Sequence, residues 1–220
     1  MGPDFASYNF EWLTMSPRWR DHYLGTDQTP HYEYLKRVLQ LLQYQRGQPG
    51  RRWVLKCPQH LEQLPVLLKV FPDAVVVFTH RDPVAVIQST VTMQAYTQRM
   101  QRPQVEIEWL RDYWVGRTEH LLRACVRDRE LARPGRSVDS LFHVFVRDPW
   151  RILEEVYTKA QLPLSGPARG SLERYLAAHP RGKAGQVVYD LKRDFAVDPH
   201  ELRERFRFYF DRFEVRPETH

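Results

Sequence analysis

Basic side chains gather at two points where an apolar run breaks off, and that placement suits an anion. Trp53-Val54-Leu55 stops at Lys56, with His60 four residues on, and Ala74-Val75-Val76-Val77-Phe78 gives way to His80 and Arg81. In open parallel sheets, ligands sit beyond the carboxyl ends of the strands, so a cation delivered there faces the ligand edge. An ammonium and a guanidinium at that edge offset phosphate or sulfate charge. An unperturbed imidazole titrates near pH ~6.5, so His60 is a candidate to take a proton from a hydroxyl. Packing or capping of the following helix explains a histidine there equally well. Ser89, eight residues after Arg81, adds a hydroxyl. The run Arg181-Gly182-Lys183-Ala184-Gly185 adds two cations and two glycines whose amides can approach an oxyanion. Cys57 has no identifiable basic partner and reads as a structural thiol.

The elements that must hold these groups follow from periodicity. Residues 53–55 read as a short strand. Leu61, Leu64, Leu67 and Leu68 recur at helical spacing until Phe71-Pro72-Asp73, and 74–78 reads as a strand buried on both faces. Asp82 suits the cap and Pro83 the first position of a helix that carries Val84, Ile87 and Val91 on one face and runs to about Met100. This βαβ reading puts Lys56 and Arg81 at the carboxyl ends of adjacent or near-adjacent parallel strands, with His60 and His80 nearby. Elsewhere, helices are expected over His31–Arg46, Val105–Glu130, Trp150–Ala160, Ala168–Ala178 and from Pro199 onward, and a further strand and turn within Val138–Val146. Residues 1–30, rich in aromatics, show no clean period.

Trp-Val-Leu-Lys-x-Pro-x-His-Leu, then Phe-Pro-Asp-Ala, then His-Arg-Asp-Pro with the later serine, resembles the sulfotransferases that use 3'-phosphoadenosine-5'-phosphosulfate, most closely their bacterial, mycobacterial-type branch. The resemblance implies an α/β fold, a parallel sheet flanked by helices and similar to P-loop nucleotide-binding folds. It implies that Arg81 and Ser89 hold the donor's 3'-phosphate and that Lys56 offsets charge on the leaving phosphate. Arg181, Gly182 and Lys183 correspond to a late basic loop that closes over the nucleotide, although Ala184 replaces a common histidine. The cytosolic branch has its histidine two residues after the lysine, where this chain has Pro58, so His60 is a candidate base by proximity.

One family feature has no counterpart. The phosphosulfate loop, resembling Arg-x-Gly/Arg-Thr/Ser-Gly-Thr-Thr at the end of the first strand, matches no stretch of residues 1–220. Gly135-Arg136-Ser137 shares its letters but lacks the second glycine and precedes a strand. The expectation is a single sulfotransferase-like domain over 1–220, incomplete at the N-terminus. Two readings stay open. The complete protein transfers a sulfonyl group to a small-molecule hydroxyl acceptor, or the chain is an inactive relic that binds adenosine 3',5'-bisphosphate weakly or not at all.

Composition bounds the alternatives. The 220 residues, 42% hydrophobic, suit one globular domain. No apolar run approaches the ~20 residues of a membrane span, and no signal-peptide layout opens the chain. The two cysteines give neither a disulfide framework nor metal spacing, so no metal is expected and a reduced, cytoplasmic setting is the default. The net charge of +6 is diffuse, which disfavours a nucleic-acid partner. A homo-oligomer is compatible with all of this.

Overall fold

A computed structural model describes residues 6–47, 49–180, 183, 185 and 190–218. They divide into two units, Met1–Ala74 with His120–Ala132, and Val75–Glu119 with Arg133–His220. Among the described residues no helix is long and apolar enough to cross a membrane.

The first unit is helical. Helices α1 (Asn9–Thr14) and α2 (Pro17–Gly25) occupy the aromatic segment that shows no period in the sequence. Each is too short to display one, but Ser16 caps α2 by accepting from the Trp19 amide, with Pro17 at the first position. Helix α3 (Thr29–Gln45) matches the amphipathic expectation, with Tyr32 and Leu39 buried. After it, residues 51–57 have no regular structure, which corrects the strand expected at 53–55. The physical reason is exposure: Val54 is 95% and Leu55 48% accessible, so the run has no face to bury. A 3-10 turn (Pro58–Leu61) and helix α4 (Leu64–Val70) complete this stretch. Gln59, itself buried, ties the turn to the start of the chain. Its Oε1 accepts from the Tyr8 amide at 2.9 Å and its Nε2 donates to the Ala6 carbonyl at 3.1 Å.

The second unit is built on a parallel pair. Along the chain, strand β1 (Val76–His80) is followed by α5 (Pro83–Gln101), by α6 (Ile107–Asp128), whose residues from His120 on belong to the first unit, and then by β2 (Ser137–Leu141). The register pairs Val76 with Ser137 and His80 with Leu141. The crossover unit is therefore β1-α5-α6-β2 rather than one opening at Trp53. The expectation of a strand buried on both faces is also corrected: Phe78 and His80 point inward while Val77 is 38% exposed, the alternation of a sheet covered on one side. Val84, Ile87 and Val91 of α5 are fully buried, as their spacing predicts. Helices α7 (Phe142–Arg147), α8 (Pro149–Lys159), α9 (Gly166–Ala178), α10 (Leu191–Phe195), α11 (Pro199–Arg205) and α12 (Arg207–Arg212) follow. Three helices open on the same pair of residues. Asp82, Asp148 and Asp198 each accept from amides of the first turn, and each is followed by proline.

Candidate functional site

In the second unit the candidate anion-binding residue Arg81 stands where β1 hands over to α5. Arg81 is the first residue past β1, and its guanidinium carbon lies 4.5 Å from the centroid of the Phe142 ring. Because His80 pairs with Leu141, the next residue of each strand lies one step beyond the register, which makes Phe142 the platform on which Arg81 rests. Asp82 Oδ1 accepts from the Val84 amide at 2.8 Å and orders the helix start. The aligned amides of a helix of this length favour negative charge at that end.

Arg81 already holds a carboxylate. Its Nε lies 3.0 Å from each oxygen of Glu218, and its second terminal nitrogen 2.9 Å from Oε2. Ser89 is half-buried on the same helix, about two turns further on. Lys183 donates from Nζ to the Ala178 carbonyl at 2.7 Å and so caps the end of α9. Arg181 and Gly182 lie outside the described residues.

His80 departs from the sequence reading. Expected near the anion edge, it points into the core instead, with its side chain 1% exposed. Nδ1 lies 2.7 Å from the Tyr209 hydroxyl, Nε2 lies 2.7 Å from Asp139, and the ring centroid lies 4.1 Å from that of Phe213. Strand alternation decides this, since His80 shares the inward face with Phe78.

The other candidates belong to the first unit. Lys56 is exposed in the irregular segment, so its delivery to the edge by a strand is corrected. Four residues later His60 sits in the 3-10 turn, with Nδ1 2.8 Å from the Tyr32 hydroxyl and the two rings edge-on. Burial lowers the His60 pKa and raises that of Tyr32, so a neutral imidazole faces a neutral phenol at pH 7. In the tautomer in which Nδ1–H donates to the Tyr32 oxygen, Nε2 keeps its lone pair for a proton. Burial also pushes the Cys57 thiol up, away from thiolate chemistry.

A sequence model described as "Sulfotransferase family" matches residues 3–166. The chain belongs to the sulfotransferase family. It is 29% identical over 167 residues to omega-hydroxy-beta-dihydromenaquinone-9 sulfotransferase Stf3 of Mycobacterium bovis and of Mycobacterium tuberculosis, covering 74% of this chain and 42% of each relative. Among solved structures, sulfotransferase STF9 from Mycobacterium avium superposes with a TM-score of 0.83 at 26% identity, over 98% of this chain and 55% of that one. Sulfotransferase STF1 from Mycobacterium tuberculosis superposes with a TM-score of 0.75 at 25% identity, over 91% of this chain and 51% of that one. The architecture is thus the α/β sulfotransferase fold, and the chain spans about half the length of these relatives. The late basic run at 181–185 lies beyond the matched residues. Gly135 and Arg136 form a 3-10 turn leading directly into β2, so this stretch opens a strand and no anion-binding helix.

Proposed function

We propose that this chain carries the 3'-phosphate subsite of a sulfotransferase whose donor is 3'-phosphoadenosine-5'-phosphosulfate, and that Arg81 and Ser89 hold that phosphate. The observation that carries the reading is Arg81 itself. It leaves β1 at the start of a 19-residue capped helix, rests on Phe142 and grips an oxyanion through two nitrogens. Arg181, Gly182 and Lys183 extend the site over the nucleotide.

Sulfonyl transfer depends, like phosphoryl transfer, on positioning and charge stabilisation. In the whole protein Lys56 offsets charge on the leaving phosphate, and His60 takes the proton of the acceptor hydroxyl. A hydroxyl acceptor also fits the Stf3 relatives, whose name describes an omega-hydroxylated menaquinone.

Calorimetric titration of adenosine 3',5'-bisphosphate and of AMP tests the phosphate assignment. The bisphosphate binds roughly tenfold or more tightly than AMP, and Arg81→Ala removes the preference, as expected for a charge-assisted bidentate contact. Equal affinities, or a preference that survives Arg81→Ala, overturn the assignment.

Residues 1–220 alone are catalytically silent in this reading. Losing one oxyanion donor costs about 100–1000-fold, and no stretch of the sequence of residues 1–220 resembles the phosphosulfate loop that would hold the transferring group. Equal turnover of phenolic acceptors by this chain and by a longer version bearing such a loop would show that residues 1–220 already supply that function.

A further inference from the structure

The carboxylate at Arg81 comes from far along the chain. Glu218 lies 137 positions from Arg81 and reaches it from the stretch that follows α12. Besides its two-oxygen contact with Arg81, Glu218 Oε1 accepts from the Asp82 amide at 3.3 Å. The Glu218 amide in turn donates to Asp82 Oδ2 at 2.7 Å. Asp82 is fully buried and works in two directions, one oxygen capping α5 and the other holding the tail. The Glu218 side chain is 20% exposed, so it is seated rather than draped across the surface.

The tail is also anchored beside its target. Phe213 is buried against His80, the immediate neighbour of Arg81 in the chain, and Tyr209 bonds the same ring. Glu218 lies five positions beyond Phe213, with four residues between them. A tether that short keeps a carboxylate at an effective concentration on the order of millimolar or above. A carboxylate and a phosphate present the same paired oxygens to a guanidinium, and both suit a helix start.

We propose that Glu218 is a built-in competitor for the Arg81 anion site: the unliganded chain closes the site with its own carboxylate, and the 3'-phosphate of a nucleotide must displace it to bind. This rests on the reading of Arg81 as the 3'-phosphate residue. The closed fraction sets the effect, because apparent affinity falls in proportion to the population in which the site is free.

The experiment compares the full chain with Glu218→Gln and with a deletion of residues 218–220, each first checked for an unchanged melting curve. Adenosine 3',5'-bisphosphate and AMP are titrated into each, alongside Arg81→Ala. Both tail variants are expected to bind the bisphosphate about three- to tenfold more tightly than the parent chain, with AMP affinity unchanged because AMP has no 3'-phosphate to compete. If either tail variant folds as the parent does and its bisphosphate affinity is equal or weaker, while Arg81→Ala still lowers it, the competitor role is wrong and the phosphate site stands. If Arg81→Ala binds as well as the parent, or if no form binds the bisphosphate at all, the phosphate site fails and the competitor role fails with it.

Discussion

Two stretches look alike as sequence and fold differently. Trp53-Val54-Leu55 before Lys56 and Val76-Val77-Phe78 before His80-Arg81 are both short apolar runs that end in basic residues. Only the second is a strand. Its Phe78 is 3% exposed and its backbone pairs in register with β2, whereas Val54 is 95% exposed in a segment of no regular structure. The elements that follow differ too. Asp82-Pro83 opens a helix of 19 residues, while Pro58 opens a 3-10 turn of four. A preformed anion position needs a strand to aim the cation and a long helix to add its amides, and of Lys56 and Arg81 it is Arg81 that has both. β-Propensity describes a residue that fits a half-buried pleated surface, and that surface has to be supplied by neighbours.

One alanine substitution in each run makes the difference measurable. Phe78→Ala removes a fully packed ring and is expected to cost about 3–5 kcal/mol. Val54→Ala is expected to stay within about 0.5 kcal/mol, as for a surface substitution. Urea unfolding of the two variants decides it. A loss above about 2 kcal/mol for Val54→Ala would mean that the segment is covered in solution and that the contrast between the two runs does not hold.

Much of the second unit is legible because its signals are local. Asp-Pro marks three helix starts, and Val84, Ile87 and Val91 mark a buried face. What escapes the sequence is set by long-range partners. Phe142 becomes the support of Arg81 through strand register, a signal available once β1 and β2 are known to pair in parallel. Glu218 and Tyr32 carry no local mark. Each matters through a contact made far along the chain, Glu218 at Arg81 and Tyr32 at His60. His80 escapes for another reason: a strand-end histidine looks solvated until the alternation from Phe78 is followed one step further. Residues 9–14 and 17–25 are helical, but helices of six and nine residues are too brief to show a period.

The smallest expected effect sharpens the contrast through protons. A guanidinium stays charged at every accessible pH, whereas an imidazole such as that of His60 exchanges a proton within the working range. Burial holds the folded-state pKa of His60 below the ordinary value, so protonation is easier in the unfolded chain than in the folded one. Between the folded value and about 6.5 the unfolded state therefore binds more protons, and stability falls as pH falls through that window. Above about 6.5 the ring is neutral in both states and contributes no pH dependence. His60→Gln abolishes the titration. The loss of stability on going from about pH 7.5 to about pH 5.5 should accordingly be smaller in His60→Gln than in the parent chain, the other titrating groups being common to both. Urea midpoints at the two pH values give the double difference. A parent and variant that lose stability equally would mean that His60 is as solvated when folded as when unfolded, and the proposal of a half-buried, neutral base held by Tyr32 would fall.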